Sequence, residues 1–181
     1  MTTATAPIAT NWTLDPTHST IEFAAKHLVF TTVKGRFTQL EGTITVNGDS
    51  PQDASVDVSI TAASINTGTD QRDEHLRSAD FLDVKQFPTL TFKSTAITGP
   101  KEHFTLTGDL TIHGTTRSVT LDVAYEGEGQ DPWGGQRIGF TATGKIDRRE
   151  FGLVWSQTLE TGGLLVGNEI KIQIEAQVKK A

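Results

Sequence analysis

The sequence predicts an all-β fold, an antiparallel barrel of about eight strands with a short helical insertion near residues 70–87. Two observations predict it. Apolar residues recur at every second position in segment after segment, as in Val56, Val58 and Ile60, in Val119, Leu121, Val123 and Tyr125, and in Ile170, Ile172, Ile174, Ala176 and Val178. A period of two marks a pleated strand with one dry and one wet face. So many strands must share one interior, and rolling the sheet shut removes the unpaired edges of an open one. One stretch, TDQRDEHLRSADFLDVKQFP at 69–88, breaks the alternation and spaces Leu76, Ala79 and Leu82 along one helical face.

A first short strand holds Trp12 and Leu14. The second points Ile21, Phe23, Ala25 and His27 inward and Glu22, Ala24 and Lys26 outward. A turn is expected around residues 31–34, then a strand from Arg36 that carries Leu40, Gly42, Ile44 and Val46 inward. Phe37 has the opposite parity, which places a bulge at 35–39. Asn47-Gly48 is a hairpin signal, and a strand follows over 56–62. In the helical stretch Asp70 and Asp73 suit caps and the N-terminal end of the macrodipole, and Pro88 stops the helix. Strands resume at 90–97, 103–113, 118–126, 136–146 and 166–178. The irregular segment 148–163 has the length of a functional lid or of a missed element.

The length of 181 residues suits one domain, expected over 11–181, behind a Thr/Ala-rich tail over 1–10 expected to be disordered. A net charge of −6 argues against nucleic-acid binding, and no polybasic patch for anionic lipid is evident. Cysteine is absent, which excludes disulfides, thiolate nucleophiles and cysteine metal sites. No apolar run approaches the ~20 residues of a spanning helix. The opening MTTATAPIAT lacks the features of a secretory signal, so a cytoplasmic location is expected, or a periplasmic one if a leader was removed. There is no G-x-S-x-G, P-loop, G-x-G-x-x-G or H-E-x-x-H. No cofactor is expected. A homodimer is compatible with the chain, but no interface is legible in it.

The inward set mixes Phe23, Phe92 and Phe140 with Ala25, Ala62, Gly42, Gly108, Ala142 and Gly144. Small inward residues point to an under-filled interior that admits a guest. Ile21, Phe23, Val58, Ile60, Leu90, Phe92, Ile138, Phe140 and Ala142 are its expected apolar wall. At about 0.8 kcal/mol per methylene, a tail of roughly twenty carbons gains near 16 kcal/mol gross. A charge-assisted hydrogen bond to a head group adds about 1.5–3 kcal/mol. The tail then dominates affinity and the mouth selects the head.

Four polar residues are candidates for that selection: His27, Asn66, Arg72 and His75. His27 shares inward parity with Ile21 and Phe23; it reads as a buried structural histidine, a head-group contact or a metal ligand. His75 stands beside Arg72, Asp73 and Arg77, either in an ion-pair and capping network or where arginine grips a phosphate. Asn66 sits where a strand leaves the barrel for the helix. His18, near Asp15, reads as a hydrogen-bonding residue at a strand entry, and His103 and His113 as solvated. Phe30, Phe37, Phe81, Phe87, Phe151 and Trp155 either plug the barrel ends or frame a portal. Asp147-Arg148-Arg149-Glu150 reads as a surface ion-pair cluster or part of a head-group rim.

The order of motifs adds a family. Asp15-Pro-Thr-His18-Ser-Thr-Ile21-Glu-Phe23, Val33-Lys-Gly35-Arg36-Phe37, Arg72-Asp73-Glu-His75-Leu76, Phe87-Pro88-Thr-Leu-Thr-Phe92, Leu110-Thr-Ile112-His-Gly114, Arg149-Glu-Phe151-Gly152-Leu153 and Val166-Gly-Asn168-Glu-Ile170 resemble, in sequence, the YceI-like polyisoprenoid-binding proteins. The resemblance covers Trp12 to Val178. It implies an extended lipocalin-like barrel whose pore binds a long isoprenoid or similar amphiphile: a polyprenyl phosphate, an isoprenoid quinone or a fatty amide. It also implies a periplasmic setting for most members. The expected function is a non-enzymatic carrier of a long-chain isoprenoid or other lipid. The rivals are an enzyme acting on an enclosed lipid through His27 or His75, and a solidly packed structural or stress-response barrel.

Overall fold

The computed structural model describes residues 9–181. Its elements run β1 (Thr10–Leu14), β2 (Thr20–His27), β3 (Thr31–Phe37), β4 (Leu40–Val46), β5 (Ala54–Thr61), β6 (Ile65–Asn66), α1 (Asp70–Arg77), β7 (Thr89–Thr98), β8 (His103–Ile112), β9 (Thr115–Gln130), β10 (Gln136–Asp147) and β11 (Val166–Lys180). The spatial order β1-β4-β5-β7-β8-β9-β10-β11 closes through β11 back onto β1, an antiparallel barrel of the lipocalin-like all-β kind.

The remaining strands lengthen this barrel rather than add to it. β1 and β2 both run antiparallel to β11, Leu14 opposite Val178 and Thr20 opposite Glu175, so they form one long stave interrupted at 15–19. β3 and β4 form the next stave, pairing with β2 and β1, and β5 with β6 the third.

Several expectations are corrected. Residues 31–34 are strand; the turn is at 28–30, with Leu28 and Val29 both at positive φ. The parity change at Phe37 is a break between β3 and β4, not a bulge within one strand. Asn47-Gly48 opens a longer connection that contains the 3₁₀ turn Pro51–Asp53, not a two-residue hairpin. β1 already begins at Thr10, inside the expected tail, while residues 1–8 of that tail lie outside the described residues. A helix forms in the expected stretch but only over Asp70–Arg77, so Ala79 and Leu82 lie in the turns after it and it ends well before Pro88. Neither aspartate caps it: Asp73 is buried and accepts from the Thr67 amide at 2.9 Å and its hydroxyl at 2.5 Å.

The interruption at 15–19 is stitched by polar groups because Pro16 cannot donate to a ladder. The Asp15 amide donates to the Gln177 carbonyl, and the Ser19 hydroxyl accepts from the Gln177 amide. The buried Asp15 carboxylate accepts from the Thr17 amide and hydroxyl, from His18 Nδ1 at 3.1 Å and from Arg137 Nη1 at 2.7 Å. The Thr17 hydroxyl first, and then His18, hold this carboxyl below the usual carboxylate range against the opposing effect of burial.

A carboxyl whose folded pKa is depressed contributes stability above its unfolded value, near 3.9, and loses it as pH falls. Asp15→Asn is therefore expected to cost about 1–3 kcal/mol at neutral pH, with the gap from wild type narrowing toward about pH 3. Urea midpoints at both pH values check this; an equal deficit at both would contradict it.

Two of the small inward residues, Gly108 and Gly144, do not leave the room expected of them. A Cβ on Gly108 would collide with the Phe92 ring, and one on Gly144 would lie 2.6 Å from Leu121 Cδ2. These glycines let large neighbours fold over the strand. The outer face carries exposed Glu22, Lys26, Asp57, Lys93, Asp122 and Lys171, the reverse of a lipid-facing barrel. No helix among the described residues is long and apolar enough to cross a membrane.

Candidate functional site

A cavity of about 520 Å³ occupies the barrel. Ile21, Phe23, Val58, Ile60, Leu90, Phe92, Ile138, Phe140 and Ala142, the nine residues read as wall, all line it. Period-two alternation places them there, since each strand delivers every second side chain to one interior. Phe37 joins the wall, its ring 5.8 Å from that of Phe23.

The two ends of the bore differ. Toward α1 the lining includes Phe81, Leu82 and Leu153, all buried, and Phe151 is fully enclosed behind them. Trp155 closes over this plug, 5.3 Å from the Phe81 ring and 4.7 Å from that of His75. At the opposite end the lining reaches loop residues Asp49, Ser50, Pro51 and Lys101, of which Asp49 and Lys101 are exposed. This is the mouth. Lys101 Nζ lies 4.6 Å from the Tyr125 ring centroid and 3.5 Å from Glu128 Oε2. Desolvation first, and then the hydrogen bond and charge of the Glu128 carboxylate, push the Tyr125 phenol up, so it stays neutral.

None of the four polar candidates lies on the wall. His27 ends β2 opposite Val166, past the register shift between Val166 and Ile170, and is half-buried outside the bore. The Asn66 side chain accepts from the Gly68 amide at 3.1 Å. Arg72 donates to the Thr67 hydroxyl and carbonyl and to the Thr69 hydroxyl, holding the entry to α1. His75 Nε2 lies 2.8 Å from Asp80 Oδ2, with its ring edge-on to Phe81 and Trp155. Asn66, Arg72 and His75 gather at the plugged end, away from the mouth. His18, His27 and His75 do not converge, and no three His, Asp or Glu side chains among the described residues form a metal cage. His113, expected in solvent, is half-buried 4.7 Å from the Phe87 ring.

Within the cluster 147–150, Asp147 pairs with Arg149 at the surface; that pairing, Arg149 foremost, pulls the Asp147 carboxyl down to about 2. Arg148 is only 3% exposed and lines the cavity. Its guanidinium donates to the carbonyls of Gly167, Leu153, Trp155 and Val166 and to Asn168 Oδ1, at 2.7–3.2 Å. Burial pushes its pKa down, yet an arginine stays charged. It pins the segment 152–168 across the plugged end. The signal was present: Ile138, Phe140, Ala142, Gly144 and Ile146 point inward, and Arg148 continues that parity.

The family model described as YceI-like domain matches residues 12–178. The chain belongs to the YceI-like family. This YceI-like barrel is 38% identical over 171 residues to the UPF0312 protein SAB2563 of Staphylococcus aureus, covering 93% of this chain and 96% of that protein. It is 38% identical over 155 residues to protein YceI of Escherichia coli, covering 84% and 81%. Among solved structures, the Campylobacter jejuni YCEI protein superposes with a TM-score of 0.74 at 32% identity, over 86% of this chain and 90% of that one. A polyisoprenoid binding domain from Saccharophagus degradans shares the fold, with a TM-score of 0.67 at 15% identity over 94% and 98%.

Proposed function

We propose that this YceI-like barrel is a non-enzymatic carrier that holds one long isoprenoid-type tail in its bore and a polar head at the Lys101 mouth. The observation that carries the reading is the cavity of about 520 Å³ in the barrel, walled by apolar side chains and plugged at one end. A tail there replaces water at about 25 cal/mol per Å² of apolar surface, with no preference for functional groups along its length. The neighbour described as polyisoprenoid binding supports the same guest class. Non-enzymatic carriage is favoured because no histidine lines the wall, and Arg148, the ionisable group at the plugged end of the bore, has its donors engaged.

The mouth favours a neutral head. Lys101 already faces Glu128, and the Asp49 carboxylate stands on the same rim. A phosphorylated head would add negative charge to a rim whose cation is shared, whereas a quinone offers carbonyls to Lys101 and to the neutral Tyr125 phenol. An isoprenoid quinone is therefore the preferred guest over a polyprenyl phosphate. The test is a fluorescence titration with quinone and phosphate ligands of equal tail length. The quinone is expected to bind at least as tightly as the phosphate, with both losing affinity as the tail is shortened. Indifference to tail length would refute the bore as the site, and a strong preference for phosphate would refute the neutral head.

A further inference from the structure

We propose that the mouth end docks on the surface of a phospholipid bilayer, with Trp133 as its anchor; this rests on the carrier reading above. β9 and β10 continue well past the start of β8, which pairs at His103 with Ala124, so their hairpin projects beyond the mouth. The tip is built, not slack. Asp131 Oδ1 accepts from the amides of Trp133 at 3.0 Å and Gly135 at 2.8 Å. Asp131 Oδ2 takes Arg137 Nε at 2.9 Å, and Arg137 Nη1 continues to the buried Asp15. This chain of bonds ties the tip to the barrel wall and presents Trp133 with 88% of its surface exposed. A rigid mount for a large, solvated indole suits an environment that takes its ring and satisfies its N–H, which is the bilayer interface.

The surroundings agree. Of the chain's three tryptophans and one tyrosine, Trp12, Tyr125 and Trp133 lie at this end. The same end holds the mouth, so a docked barrel exchanges its guest without passing it through water. Its charges are mixed, Asp49, Glu102 and Glu128 beside Lys101, Lys179 and Lys180, so the aromatic anchor and not net charge provides the attraction. Binding to zwitterionic lipid is therefore expected, with little dependence on salt.

The experiment is co-flotation of the full chain with phosphatidylcholine vesicles, read together with tryptophan emission. Wild type is expected to float and to shift its emission to the blue. Trp133→Ala is expected to lower partitioning by roughly tenfold to hundredfold. Phe30→Ala removes a side chain that is 77% exposed at the opposite end and is expected to float like wild type. Docking is overturned if wild type stays in solution, if Trp133→Ala floats unchanged, or if Phe30→Ala loses as much. An isoprenoid quinone titrated without vesicles separates the two claims, because Trp133 is off the wall and its alanine variant should still bind the tail. Trp133-dependent flotation by a protein that binds no tail sustains the docking and removes the carrier reading.

Discussion

Replacing Arg148 with methionine is expected to destabilise the protein by about 3–5 kcal/mol. Methionine fills similar volume but returns none of the hydrogen bonds. The carbonyls of Gly167, Leu153, Trp155 and Val166 all point at the guanidinium, and at least the Leu153 bond is fully enclosed. A buried acceptor left without a partner costs about 1–3 kcal/mol, and partial relaxation of the segment keeps the total below the sum. Arg148→Lys is expected to recover only part of the loss, because an ammonium has three donors where the guanidinium uses five positions in a planar fork. The urea midpoint of each variant is the measurement. A methionine variant within about 0.5 kcal/mol of wild type would show that the segment 152–168 does not depend on this side chain.

Blocking the bore is expected to produce the largest effect on binding, and the effect should depend on where the block sits. Ala176 lines the cavity opposite Phe140, on the mouth side, and Ala25 lines it opposite Ile170, toward the plug. Both are half-buried beside open space, so a tryptophan can project into the bore without displacing the sheet. Ala176→Trp is expected to exclude long and short tails alike. Ala25→Trp is expected to spare short tails and penalise long ones, since each methylene kept out forfeits about 0.8 kcal/mol. Four excluded methylenes already weaken binding by roughly a hundredfold. Titration of both variants against tails of graded length reads the difference. Equal loss at every length from Ala25→Trp would mean that the tail does not run from the mouth toward α1.

The barrel and its wall were legible because strand periodicity acts on every residue, and burial of one face reports itself as alternation. That is why all nine apolar wall residues could be named from sequence, and Ala25, Gly42 and Ala142 of the small inward set line the cavity with them. Gly108 and Gly144 do not leave space; they accommodate Phe92 and Leu121. His27, Asn66, Arg72 and His75 are conspicuous by residue type but do not line the bore, whereas the mouth is set by where loops happen to end. Asp49 and Lys101 stand in turns, outside any period, and nothing local announces that they meet a bore. Arg148 reads in the sequence as a surface or rim residue for a different reason. Its flanking Asp147, Arg149 and Glu150 have the composition of a solvated cluster, and that outweighed the inward parity continued from Ile146. The break between β3 and β4 and the polar stitching at 15–19 depend on pairings between residues distant in sequence, such as Ser19 with Gln177, which no local pattern contains.

Native mass spectrometry of the protein purified from its own host, followed by organic extraction and identification of what is released, tests the carrier reading most directly. One long-chain amphiphile per protein, released by solvent and absent from the Ala176→Trp variant, is the expected result. Protein that arrives empty and takes up neither isoprenoid quinone nor polyprenyl phosphate when offered them would contradict it.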